Sequence, residues 1–175
     1  LIYRAGEFES TGGRKANMLS IVPEAGLAVG IDITRSALVL VLINLDLEIL
    51  DLVKLHMVFE PTEQYYETIN IQLEQLLNRN GVERGRLLGV GISLPAIVSE
   101  EQNVVSYATV INLPVDFYDR MCEKISYPVH LFNDANSARW AELWCKGNRS
   151  PMVYLSLSNS VGGAVILNRV YTGSN

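Results

Sequence analysis

Cysteine and histidine are scarce, two of each in 175 residues, and their placement excludes whole classes of chemistry. Cys122 and Cys145 fall on separate predicted helices with no pairing signature. A disulfide scaffold is excluded, and a reducing compartment makes both thiols small buried apolar side chains. His56 and His130 lie far apart, without a Cys, His or carboxylate at metal-ligand spacing, so no metal site is predicted in this chain. Positive charge is short as well. With 14 Lys and Arg against 19 Asp and Glu the net charge is −5, which argues against gripping nucleic acid through the overall field of this segment. The longest apolar stretch, 37–45, is broken by Asn44 and followed by Asp46, far below the roughly 20 residues that span a bilayer. The opening Leu1-Ile2-Tyr3-Arg4-Ala5-Gly6-Glu7 lacks the basic end and apolar core of a signal peptide, which makes the cytoplasm the expected compartment.

What is present is a globular composition, 49% hydrophobic and 19% charged, with length for one or two modest cores. Residues 1–4 read as the end of a β element, and Glu9-Ser10-Thr11-Gly12-Gly13-Arg14-Lys15 as a polar, turn-forming linker. Three apolar segments follow, 27–33, 37–45 and 47–59, separated by Thr34-Arg35-Ser36 and Asp46. Such short connections suit antiparallel hairpins. From 62 to 80 the spacing of Tyr66, Ile69, Leu73, Leu76 and Leu77 predicts a helix closed by Gly81. A buried strand is predicted at 87–93. A second helix at 115–125 carries Phe117, Met121, Cys122 and Ile125 on one side, and a strand follows at 128–132. A third helix at 133–146 carries Ala135, Ala138, Leu143 and Trp144, and strands at 152–157, 163–167 and 170–171 end the chain. Hairpin strands followed by helix, strand, helix, strand give the order of an actin-like (ribonuclease H-like) α/β lobe. The expected division is 1–22 for a wing end and connector, 23–132 for the first lobe and 133–175 for the start of a second.

Four places have side chains suited to chemistry. Asp32 ends an apolar strand at a tight turn, where a carboxylate can hold a hydrated magnesium ion while turn amides face phosphate; it can equally be an ordinary hairpin aspartate. Asn133-Asp134 follows a strand and opens a helix. The pair either holds a sugar hydroxyl, with Asp134 as acceptor or general base, or simply caps the helix. Ser156-Leu157-Ser158-Asn159-Ser160-Val161-Gly162-Gly163 sets small residues between two strands, as an anion loop or a plain hairpin would. Gly89-Val90-Gly91-Ile92-Ser93-Leu94-Pro95 fits a ligand loop or close strand packing.

In this order the four segments resemble the ROK family, whose name joins repressors, open reading frames and sugar kinases. The most specific match is Asn133-Asp134-Ala135-Asn136, the family's sugar-and-base motif. The resemblance implies an actin-like fold, sugar contacts from Asn133 and Asp134, and phosphate loops at Asp32 and Thr34 and at Ser158, Ser160, Gly162 and Gly163. The family's Asp-x-Gly-Gly-Thr loop reads Asp32-Ile33-Thr34-Arg35-Ser36 here, and its Gly-Thr-Gly reads Ser158-Asn159-Ser160. Side chains thus stand where backbone should approach phosphate, which disfavours ATP and magnesium. The segment 9–15 is similar to the connector between a winged helix and the sugar domain in ROK regulators.

The resemblance therefore implies the sugar-sensing part of a transcription regulator of carbohydrate-metabolism genes. Its expected partners are a sugar or sugar phosphate, DNA held through a winged helix preceding Leu1, and a second copy in a homodimer or larger assembly, with no membrane partner. No cofactor is expected in this chain, and the family's zinc site would lie beyond Asn175. An ATP-dependent sugar kinase with Asp134 as general base is the alternative, and a module kept only for dimerisation is a third.

Overall fold

The computed structural model describes residues 2–7, 17–99, 101–145, 152–157, 161–167 and 169–170. Strand β1 (Ile2–Glu7) pairs antiparallel with β2 (Asn17–Ile21), with a bulge between Arg4 and Gly6. This ribbon exposes Ile2, Tyr3, Met18, Leu19 and Ile21, and two strands alone hold only marginally in water. The expected connector at 9–15 lies outside the described residues.

A short 3-10 turn at Pro23–Ala25 leads into the meander β3 (Leu27–Ile33), β4 (Ala37–Asn44) and β5 (Ile49–His56). The β4–β5 turn is built by Asn44, whose Oδ1 accepts the N–H groups of Asp46 and Glu48 at 3.0 Å each. Leu47, read from sequence as strand, instead sits in this turn with φ of 60°.

Helix α1 (Glu63–Arg79) then crosses to β6 (Leu87–Leu94), which lies parallel to β3. Thr62 caps α1 by accepting the Tyr65 N–H, and Gly81, at φ of 61°, ends it in a conformation that costs glycine nothing. At its far end Arg79 Nε and Asn80 Nδ2 donate to Asp51 Oδ2 at 2.5 and 2.6 Å, tying α1 to β5. The Arg79 and Asn80 hydrogen bonds hold the half-buried Asp51 carboxyl down at about 2.

A small hairpin follows, β7 (Ala96–Ser99) with β8 (Val104–Ala108), then α2 (Phe117–Lys124), β9 (Val129–Asn133) and α3 (Asp134–Cys145). Strand β9 lies parallel to β6, giving the five-stranded order β5-β4-β3-β6-β9. Beyond α3, β10 (Met152–Leu157), β11 (Val161–Leu167) and β12 (Arg169–Val170) form a separate antiparallel sheet.

Alternation along each strand sends Val29, Ile31, Ile33, Leu38, Leu40, Leu42, Val90, Ile92 and Leu131 to one buried face. Tyr65, Tyr66, Ile69, Leu73, Leu76 and Leu77 of α1 and Phe117 and Met121 of α2 complete that core. Each such side chain contributes about 1.5–3 kcal/mol when fully buried. Phe59, Tyr65, Tyr66 and Phe117 meet edge-on or tilted, with Phe59 and Tyr65 centroids 5.0 Å apart. The opposite face carries small groups at the centre, Gly30, Asp32, Gly91 and Ser93. A methyl on Gly91 would meet the Phe132 ring at 3.2 Å, so here the glycine-rich strand reflects close packing.

Three further sequence expectations change. Helix α2 begins at Phe117 rather than 115, and Val115 is fully exposed. Cys122, expected as a buried apolar side chain, is exposed, because the buried side of this short helix is taken by Phe117 and Met121, with Ile125 just beyond it; the side chain of Cys145 lies outside the described residues. Trp144 of α3 is 67% exposed, while Arg139 of that helix is fully buried, its guanidinium over the Trp140 ring at 5.3 Å. No helix among the described residues is long and apolar enough to cross a membrane.

Candidate functional site

The carboxyl ends of parallel strands β3, β6 and β9 lie side by side, the usual location for ligands in open α/β sheets. Register sets Asp32 opposite Ser93, and Leu94 opposite Asn133. Asp32 and Asp134, about a hundred positions apart in sequence, are thereby brought into electrostatic contact. Burial pushes the Asp32 carboxyl up; a hydrogen bond from the Ser93 hydroxyl opposes this, and the Asp134 charge adds to it.

Asn133 caps α3, as the capping reading foresaw. Its Oδ1 accepts the Asn136 N–H at 3.0 Å, and its main-chain oxygen accepts from Ser137 Oγ at 3.0 Å. Its Nδ2 does two further things, donating to Ala96 O at 2.9 Å and to Asp134 Oδ1 at 3.2 Å. Asp134 Oδ1 also accepts the Ala135 N–H at 2.7 Å. One carboxylate oxygen is thus fixed by two donors at a helix N-terminus, where negative charge is favoured. The other, Oδ2, has no hydrogen-bond partner among the described residues. A half-buried carboxylate oriented through one oxygen and open at the other can accept a hydrogen bond from a hydroxyl, or take its proton.

The turn after β3 closes on itself. Thr34 N–H donates to Ala37 O at 2.9 Å, Thr34 Oγ1 accepts the Ala37 N–H at 3.0 Å, and the same hydroxyl donates to Ala37 O at 3.1 Å. Arg35 and Ser36 are exposed, and their carbonyls receive the N–H groups of Phe59 and Met57 at 3.0 and 3.1 Å. The Ala37 amide is thus occupied within the turn. The side chains of Thr34 and Arg35 stand where the family's loop has glycine.

Of the second candidate loop, Ser158 and Ser160 lie outside the described residues. Gly162 and Gly163 fall within β11, paired with Ser156 and Leu155. A methyl on Gly163 would stand 3.0 Å from the Tyr154 carbonyl oxygen, so the neighbouring strand gives that glycine a packing role.

Asp32, Asn133 and Asp134 therefore converge, while Thr34 serves its own turn. Sequence reasoning missed two participants. Ser93 was legible as the hydroxyl ending a buried strand, but its pairing with Asp32 depends on register. Asn103, whose side chain reaches β9, lies in a hairpin not foreseen from sequence.

Residues 28–175 match the sequence profile of the ROK family. The chain is 26% identical over 176 residues to the xylose repressor of Bacillus spizizenii, covering 99% of this chain and 46% of that protein. Among solved structures, a ROK family transcriptional regulator described as a homolog of the E. coli MLC protein superposes with a TM-score of 0.76 at 20% identity, over 99% of this chain and 45% of that one. A ROK family glucokinase from Streptomyces griseus, solved with glucose and AMPPNP, gives a TM-score of 0.65 at 23% identity, over 85% of this chain and 47% of that one. The chain spans about half the length of each relative, and the fold is the actin-like α/β architecture they share.

Proposed function

This chain belongs to the ROK family, and from that premise we propose that it is the sugar-sensing part of a transcription regulator, with Asp134 as the acceptor for a sugar hydroxyl and Asn133 holding it in place. The observation that carries this reading is the asymmetry of the Asp134 carboxylate, one oxygen fixed by Asn133 and Ala135 and the other open. The choice of regulator over kinase is supported by Thr34 and Arg35, whose side chains stand where the family's phosphate loop has glycine. It is supported also by the extent of likeness: the family profile begins at residue 28, whereas the match to the xylose repressor takes in 99% of the chain and so includes the β1–β2 ribbon.

In this reading a pentose or hexose reaches the ends of β3, β6 and β9 and favours one arrangement of the surrounding structure. Its differential affinity shifts the population of states and so changes DNA affinity, exerted through a winged helix ahead of the ribbon; by linkage, DNA changes sugar affinity by the same factor. The protein acts in the cytoplasm, as a homodimer or larger assembly. The test is calorimetric titration with D-xylose, D-glucose and their phosphates, each with and without magnesium ATP. Binding that is alike in both conditions, with no ADP formed, supports the sensor; sugar-dependent ADP formation overturns it in favour of a kinase using Asp134 as base.

A further inference from the structure

The β7–β8 hairpin is fastened to β9 at two points, each through an asparagine side chain. At its root, Ala96 O accepts Asn133 Nδ2 at 2.9 Å. At its tip, Asn103 Oδ1 accepts the Leu131 N–H at 2.8 Å. Asn103 holds φ of 54°, a left-handed conformation that asparagine tolerates better than most residues. Strand β9 is the edge of its sheet among the described residues, with β6 as its ladder partner. An edge strand presents outward N–H groups, and Asn103 takes one of them two residues before the Asn133 cap. The inner side of the hairpin packs Val98 and Val105 against the core, while Ile97, Val104 and Tyr107 remain exposed.

Packing of Val98 and Val105 holds the hairpin against the core but is non-directional, so with the root bond alone the hairpin could still slide along β9, carrying the Ala96 carbonyl and with it the Asn133 amide. The second bond removes that freedom. We propose that Asn103 is a positioning residue for the Asn133–Asp134 pair, acting through the Leu131 amide to fix the end of β9 and so the place of Asp134 Oδ2. This rests on the reading of Asp134 as the sugar acceptor given above. The bond is separable from the backbone requirement: glycine accepts the positive φ but lacks the acceptor, whereas aspartate keeps an oxygen at the same place.

The test is calorimetric titration of the protein with D-xylose and D-glucose, for wild type, Asn103→Gly, Asn103→Asp and, as a structural control, Thr62→Ala. Loss of one oriented hydrogen bond to the strand is expected to weaken binding about ten-fold in Asn103→Gly. Asn103→Asp restores wild-type affinity, and Thr62→Ala lowers the melting temperature without changing affinity. Wild-type affinity in Asn103→Gly, or failure of Asn103→Asp to restore it, overturns the positioning role while leaving the sugar site standing. If wild type takes up neither sugar, the sugar reading falls and the positioning role with it.

Discussion

Two helices of this molecule start with a side-chain cap, and the caps carry different loads. Thr62 receives the Tyr65 N–H and serves α1 alone. Asn133 receives the Asn136 N–H, holds Ala96 of a separate hairpin and steadies Asp134. The first cap is local and exchangeable among good capping residues. The second joins a strand end, a helix start and a hairpin, so its side chain cannot be exchanged for another capping residue without releasing something else.

Five substitutions break or sharpen that contrast. The largest loss of stability is expected within α1, where Leu73 is fully buried against the sheet: Leu73→Ala costs about 3 kcal/mol by denaturant titration, with unchanged sugar affinity wherever the protein remains folded. Asn133→Ala comes next. It removes a cap and a partly buried tie together, costs about 2 kcal/mol and weakens sugar binding, whereas Thr62→Ala costs about 1 kcal/mol and leaves binding alone. Equal binding losses in the two would erase the distinction between the caps.

Asp32→Asn tests the electrostatics beside the second cap. Burial raises the Asp32 carboxyl above its ordinary value. Its contribution to stability is therefore present below the unfolded carboxylate range and is lost as pH rises through the folded value. The asparagine variant should melt above wild type at pH 7, with the gap narrowing toward pH 4; a gap independent of pH would refute the buried charge as its cause. The smallest effect is expected from Tyr65→Phe. The Tyr65 hydroxyl is buried without a hydrogen-bond partner among the described residues, so its removal should change stability by no more than about 0.5 kcal/mol, toward greater stability.

Legibility in the sequence follows the same division. Helix α1 was readable almost to the residue, because cap, apolar spacing and terminal glycine all lie within 62–81. Helix α3 was readable as a helix but not in what it buries, since Arg139 is enclosed and Trp144 exposed. The β7–β8 hairpin escaped notice because each of its strands is only four or five residues long. Of the site, Asp32, Asn133 and Asp134 could be named from strand ends and turns, while Ser93 and Asn103 could not be given roles.

By itself the sequence determined the strands of the main sheet and the three helices, and the apolar side of α1, because those properties repeat every two or every three to four residues and are written into near neighbours. Only the tertiary structure decided that Asp32 meets Ser93 and senses Asp134, and that Asn103 reaches Leu131. Those meetings depend on the parallel register of β3, β6 and β9, where a slip of one residue would turn every side chain to the other face, and no local pattern encodes that alignment.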